Sequence, residues 1–316
     1  MVNSYAFGCT ACGKCCNSPP AMALPELFRH RDLFVGCLAI SRTPRRRSGE
    51  RLRVGRVDHV LSASEAAACD TLGETLLHGA GNRHGVFFNL VAQGYDYPSL
   101  ARCPALQDDG LCAIHASGKP LQCAVVPLDP LLPDSLQHLA LAGRSIGAAY
   151  IGAECIQAGE RSGMATLVGD GEIHDAAARD VIARRRWMLA QEHELWGRAV
   201  FASLRRELFD AQDVLGRIPA DGFLSISIAP ALLAVAGVSE RCRQLSLTYI
   251  DSQLALIEKT IAQALLRRRL DERPHTRELR GFSETYLRAR AALVSASPPQ
   301  TMPMAAAQRF EAYLAA

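Results

Sequence analysis

Hydrophobic and polar positions follow different rhythms in the two halves of this chain. Beyond about residue 170 the spacing is helical. Over 175–215, Val181, Met188 and Leu195 form one stripe and Ile182, Leu189 and Trp196 the next, and Val200, Leu204 and Leu208 carry it onward. Residues three, four and seven apart share a helix face, so one long helix is predicted there. Leu247, Ile250, Leu254, Ile257, Ile261 and Leu265 predict a second over about 230–270. A third is expected over 276–293 and a short last one over 305–315, beyond a Pro- and Ser-rich break at 295–303. A β-prone piece, 223–228, lies between the first two.

The first half is less regular. Pro25 opens a helix-like segment at 25–28. Residues 44–51 are basic, with Gly and Ser, and read as a solvated loop. Leu52, Val54 and Val57 alternate with arginines and predict a strand over 51–61. A short helix is expected over 64–77, ended by Gly79, Ala80 and Gly81, and a strand over 86–91. Asp108, Asp109 and Gly110 signal a turn, and Pro127, Pro130 and Pro133 exclude regular structure. Residues 136–150 fit either strand or helix, and His174 with Asp175 reads as a helix start.

With 316 residues, 49% of them hydrophobic, the chain can bury a core without disulfides. A formal charge of +3 offers no argument for nucleic acid or an anionic membrane, so neither is expected as a partner. The arginine triplets at 45–47, 184–186 and 267–269 are expected to be solvated faces. Residues 1–8 lack a basic n-region and an apolar h-region, and the apolar run 229–238 is too short for a bilayer. A cytoplasmic location is expected.

The cysteines change this picture. Cys9, Cys12, Cys15 and Cys16 crowd one short stretch, and Cys103, Cys112, Cys123 and Cys155 follow. The total of eleven is odd, and in a reducing compartment clustered thiols point to metal or redox chemistry rather than bridges. C-x2-C-x2-C lets three thiols of one loop cap a face of an iron–sulfur cubane, and bacterial ferredoxins use a similar run. Zinc ribbons use C-x2-C pairs in two separate knuckles, whereas the second group here is spaced C-x8-C-x10-C. Thiolate softness permits both iron–sulfur and zinc. Adjacent side chains are expected to diverge, so Cys16 either serves a second metal centre or is a free or redox-active thiol. Cys9, Cys12, Cys15, Cys16, Cys103, Cys112, Cys123 and Cys155 would satisfy two four-sulfur sites or one polynuclear site. Cys37, Cys69 and Cys242 are expected to be incidental.

Other constellations are weaker. His115, between Cys112 and Cys123, is a ligand candidate, with a structural loop histidine the preferred reading. His193-Glu194 lacks the second histidine of a zincin helix, and no phosphate loop or Gly-x-Ser-x-Gly elbow is present.

The segment Cys9-Thr10-Ala11-Cys12-Gly13-Lys14-Cys15-Cys16 resembles the N-terminal motif of the YkgJ-type cysteine-cluster family, described as a zinc- or iron-chelating domain. The second group follows the family order: Cys103-Pro104, then Gly110-Leu111-Cys112-Ala113-Ile114-His115, then Lys119-Pro120-Leu121-Gln122-Cys123. Cys155 stands where the family has a further cysteine. Over about 5–165 the resemblance implies a cysteine-ligated metal centre, first of all a 4Fe-4S cluster, with zinc or mononuclear or polynuclear iron as alternatives. Lys119-Pro120 replaces the family's Arg-Pro, aliphatic residues at 124–126 replace an aromatic, and the turn after Cys155 lacks Pro-Gly. A distant relative, flagellin lysine methylase, pairs such a cluster with S-adenosylmethionine, but the usual glycine-rich methyltransferase loop is absent here.

The resulting expectation is an α+β chain. A small irregular cysteine-rich metal-binding domain with short strands, 1–165, precedes a mainly α-helical region, 166–316. Its function is expected to be metal binding, with a redox or modification role at the metal. A structural or storage zinc module is the first alternative and a protein lysine methylase the second. Whether the chain is an enzyme stays open. Metal ions are the expected partners, and the helical region is the expected surface for a protein substrate.

Overall fold

A computed structural model describes residues 4–79, 85–97, 100–159, 161–210, 214–218, 222–296 and 304–315. About 52% is helix and 18% strand, with small sheets and a helical C-terminal half, as the α+β expectation requires. Two compact units are interleaved along the chain. The first comprises Met1–Asn17, Arg42–Asn89 and Ala105–Gln191; the second comprises Ser18–Ser41, Leu90–Pro104 and Glu192–Ala316. This partition differs from the compositional division near residue 165.

In the first unit, strand β1 (Tyr5–Phe7) is central to a small antiparallel sheet. It pairs on one side with β7 (Ile156–Ala158), Tyr5 opposite Ala158 and Phe7 opposite Ile156. On the other side it pairs with β8 (Thr166–Gly169), which turns back into β9 (Glu172–Ile173). The sheet buries Tyr5, Ile156, Leu167, Val168 and Ile173 against Val125, Leu128, Leu141, Tyr150 and Ile182. Leu141 comes from helix α4 (Gln137–Ser145), so the ambiguous segment 136–150 is helical. Ile182 comes from α5 (Ala176–Glu192). Asp175 caps α5 by accepting the Ala178 N–H at 2.7 Å, as expected of a helix start.

The strand expected over 51–61 is instead a hairpin, β3 (Arg51–Val54) and β4 (Val57–Val60). Gly55, at φ 60°, makes the two-residue turn, and its backbone lies against Gly143 of α4. Leu52 and Leu61 pack on Leu136, Leu139 and Ala66. Ala66 lies on α2 (Ala63–Leu76), which opens with a capping box between Ser62 and Glu65. Ala80 and Gly81 of the expected breaker lie outside the described residues.

The arginine triplet at 184–186 is not a solvated face. Arg185 is buried, and Arg186 donates to the carbonyls of Pro130 and Leu132 and pairs with Asp134 at 2.8 Å. It thereby ties α5 to the proline-rich stretch.

In the second unit, α1 (Leu24–Arg29) and the start of β2 (Gly36–Pro44) pack among helices. Strand β10 (Phe223–Ser227), the expected β-prone piece, pairs antiparallel with β2, Ser227 opposite Cys37. The expected long helix over 175–215 is α5 continued through a π-helical turn at His193–Gly197, α6 (Arg198–Leu204) and a second π-helical turn at Arg205–Asp210. Trp196, Val200 and Leu204 are buried along this stretch, and each π-helical turn inserts an extra residue into the helix. The helix expected over 230–270 is two, α7 (Ala229–Ala236) and α8 (Glu240–Arg267). Ser239 caps α8 from the Cys242 N–H. α9 (Arg273–Ser295) and α10 (Met304–Ala315) follow as expected.

Polar residues staple this core. Gln253 accepts the Gly36 N–H at 2.7 Å and donates to the carbonyls of Arg31 and Phe34. Glu192 accepts from the Leu24 N–H and the Tyr313 hydroxyl. Accordingly the buried seam of α8 runs Cys242, Ser246, Tyr249, Ile250, Gln253, Ile257 and Ala264, keeping Ile250 and Ile257 of the predicted stripe, while its Leu265 is exposed. Among the described residues no helix is long and apolar enough to cross a membrane.

Candidate functional site

The thiol-rich loop begins where β1 ends. Tyr5 and Ala6 are hydrogen-bonded on both sides, so the chain leaves the sheet from a fixed point. Gly8 then donates its N–H to the carbonyl of Cys155 at 3.0 Å. This bond brings the start of the loop alongside Cys155, almost 150 residues away in sequence. Cys155 itself is buried in the sheet's core.

Two left-handed residues then bend the loop: Ala11 at φ 52° and Gly13 at φ 70°. Such conformations are strained for residues bearing a Cβ and free for glycine. Cys16 closes the bend by donating its N–H to the Gly13 carbonyl at 2.9 Å. The result leaves Cys9, Cys12 and Cys15 exposed and Cys16 half-buried.

Cys112 arrives on a tight turn. Leu106 bridges to Cys112, Gln107 and Leu111 bond across it, and Asp109 accepts the Leu111 N–H. Gly110, at φ 82°, is the apex, as Asp108-Asp109-Gly110 predicted. The apex rests on the thiol loop: a Cβ on Gly110 would stand 3.2 Å from the Ala11 carbonyl, and one on Gly13 3.1 Å from the Leu106 side chain. The two glycines let the loops meet backbone to backbone. Cys123 lies on the short helix α3 (Leu121–Val125), its N–H bonded to the Pro120 carbonyl. Cys103 is buried at the end of Leu90–Pro104, within the second unit. His115 is exposed on the segment between Cys112 and Cys123.

Charge shows which thiols share a neighbourhood. Burial raises the pKa of Cys155, and the charges of Cys12, Cys15 and Cys9 raise it further. Cys15 moves the other way, from 9.0 to about 6. Its main cause is the hydrogen bond with Cys16, helped by the charges of Lys119 and Arg144. Arg144 also donates to the hydroxyl of Tyr150, whose own pKa is raised chiefly by burial. Lys14 donates to the Ile151 carbonyl. The chain has only three lysines, so finding Lys14 and Lys119 both beside the thiols is a signal the composition held but spacing did not expose.

The expectation that Cys15 and Cys16 point apart is not met: their sulfurs lie 4.0 Å apart. That is too long for a disulfide, whose S–S bond is about 2.05 Å. It is close to the ~3.8 Å separating two sulfurs on one tetrahedral metal with metal–sulfur bonds of about 2.3 Å. Among the described residues no three His, Cys, Asp or Glu side chains form a ready-made metal cage. The site is thus a thiol-bearing loop that abuts the Cys112 turn, with one pair of sulfurs, Cys15 and Cys16, at chelating distance.

The expected incidental cysteines lie elsewhere. Cys37 and Cys242 are wholly buried in the second unit, and burial pushes the Cys37 thiol up to about 12. Cys69 is half-buried on α2. Beside the thiol loop an apolar cleft of about 220 Å³ opens between Phe7, Ala124, Val125, Leu128, Leu167 and Val181. Phe7 precedes the loop and Ala124 follows Cys123, so the cleft shares its walls with two thiol-bearing segments. Comparison with protein-family models, curated proteins and solved structures found no match.

Proposed function

We propose that this chain is a cysteine-ligated metal-binding protein, with an iron–sulfur cluster as the resident group. The observation that carries the reading is the abutment of the C-x2-C-x2-C-C loop on the Cys112 turn through Gly13 and Gly110, with Cys155 held at the loop's start. Cys9, Cys12, Cys15, Cys16, Cys112, Cys123 and Cys155, all of the first unit, would hold the metal; Cys103, expected with them from sequence spacing, lies in the second unit. Thiolates, not thiols, are ligands, and Cys15 is poised to ionise near neutral pH. Lys119 and Arg144 offset the negative charge that gathers there. An iron–sulfur cluster would supply one-electron storage at the protein surface. The apolar cleft beside Phe7 would seat an apolar group next to it.

A second reading, a single tetrahedral zinc or iron, is favoured by the 4.0 Å spacing of Cys15 and Cys16. In a cubane each iron takes one protein thiolate, whereas a mononuclear site takes several at about this spacing.

Anaerobic reconstitution with iron and sulfide, followed by absorption and Mössbauer spectroscopy, separates the two. Brown protein with iron and sulfide in equal amounts, lost in Cys12→Ser and Cys112→Ser, supports the cluster. Colourless protein retaining one zinc or iron per chain supports the mononuclear site. Protein that binds none of these metals through sulfur sinks both.

A further inference from the structure

The arginine triplet at 267–269 lies where α8 ends and the chain turns into α9, within the second unit. Arg268 makes the turn in a left-handed conformation, at φ 53°. The two helices then fold back on one another, Asp251 of α8 pairing with Arg290 of α9 at 2.7 Å. The turn is therefore one end of a helical hairpin. Three leucines crowd it and all face solvent: Leu265 is 58% exposed, Leu266 81% and Leu270 69%. A single exposed leucine needs no explanation, but three in the six residues 265–270 expose apolar area at one place.

Positive charge gathers at the same turn. Residues 264–280 hold six arginines against three carboxylates, a net +3 that equals the formal charge of the whole chain. An average over 316 residues conceals this. The three carboxylates are already engaged. Glu272 is buried and pairs with Arg267, Asp271 pairs with Arg269, and Glu278 accepts from the Tyr95 hydroxyl. Arg268, Arg273, Arg277 and Arg280 are exposed and make no ion pair among the described residues. Arg273, Arg277 and Arg280 are four and three residues apart, so they share one face of α9.

We propose that the α8–α9 turn is a docking tip for an anionic phospholipid bilayer. Leu265, Leu266 and Leu270 enter the boundary between headgroups and acyl chains, and Arg268, Arg273, Arg277 and Arg280 meet the lipid phosphates. Leucines backed by arginines are the composition that lies in a membrane interface, where apolar burial and attraction to anionic headgroups add together. Leucines at the end of a hairpin suit a soft layer that closes around them. A nucleic acid would engage the arginines and leave the leucines in water. The inference is independent of the metal reading, and each can fail without the other.

The test is flotation of the full chain with vesicles of phosphatidylcholine alone and of phosphatidylcholine with about 30% phosphatidylglycerol. The parent is expected to float with the anionic vesicles, to stay behind with the neutral ones, and to be released as salt rises. Leu266→Ser combined with Leu270→Ser is expected to weaken binding about 10-fold or more. Arg273→Gln combined with Arg277→Gln is expected to weaken it about 10- to 30-fold. These side chains are exposed, so thermal unfolding of both variants should match the parent, which separates lost binding from lost fold. Absence of binding to the anionic vesicles, equal binding to the neutral ones, or binding that survives either pair of substitutions overturns the proposal. Capture by a DNA duplex in preference to vesicles, unchanged by the leucine substitutions, overturns it too and makes the turn a polyanion site.

Discussion

The sulfurs of Cys15 and Cys16, neighbours in sequence, lie 4.0 Å apart and share a hydrogen bond. Consecutive side chains ordinarily diverge. Here the left-handed turn at Gly13, closed by the Cys16 N–H, tips them to one side. The pair makes one thiolate easy to form and places a second donor at chelating distance from it.

That coupling has a pH signature. In metal-free protein, alkylation of Cys15 by iodoacetamide should rise with a midpoint near pH 6, against 9.0 for an ordinary thiol. Cys16→Ala should move the midpoint upward, because the Cys16 hydrogen bond is the leading cause of the shift and alanine cannot donate one. A pKa depressed by folding contributes stability that is complete above the unfolded value and lost as pH falls through the folded one. The Cys15 contribution is therefore complete above about pH 9 and disappears as pH drops through about 6. A midpoint that stays at 9 in the parent protein would refute the geometry.

Gly110→Ala should loosen the thiol loop. The position is left-handed at φ 82° and a methyl there meets the Ala11 carbonyl at 3.2 Å. A left-handed conformation costs a residue with a side chain about 1–2 kcal/mol, and the contact adds to it. Urea unfolding reads the stability loss. Limited proteolysis between Cys9 and Cys16 should accelerate in step, whereas loss of stability with an equally protected loop would argue against the abutment.

Gln253→Leu tests the polar staple of the second unit. It leaves the Gly36 N–H and the carbonyls of Arg31 and Phe34 without this partner in a buried setting. A loss of about 3 kcal/mol is expected from chemical denaturation. A change below about 0.5 kcal/mol would mean that water replaces the amide there.

Gly36 and Tyr249 form a coupled pair. A methyl at Gly36 would overlap the Tyr249 hydroxyl, so Gly36→Ala should cost about 1–3 kcal/mol through overpacking. That hydroxyl is buried and has no partner, so Tyr249→Phe alone should be neutral or stabilising. In the double variant part of the Gly36→Ala loss should return. Strict additivity in a thermal-unfolding cycle would rule out the steric explanation.

Periodicity by itself determined the helical content of the C-terminal half, because the four- and seven-residue spacings of Ile182 and Leu189, Val200 and Leu204, and Ile250 and Ile257 leave few alternatives to a helix. It also marked the loop of thiols, since C-x2-C-x2-C-C is a local pattern. Local pattern was silent on what needs partners distant in sequence. Tyr5–Phe7 is too short to declare itself a strand, and becomes one only between β7 and β8. The seam of α8 shifted to Tyr249 and Gln253 because Gly36 and its neighbours present bare backbone groups that polar side chains must satisfy. The arginine at 185 looks like one of a solvated triplet, and only packing on α3 reveals it as a buried charge. The thiols were legible as residues. Their neighbourhood was decided by tertiary structure, because a hydrogen bond from Gly8 to Cys155 and the meeting of Gly13 with Gly110's turn are set by backbone approach, which no spacing along the chain encodes.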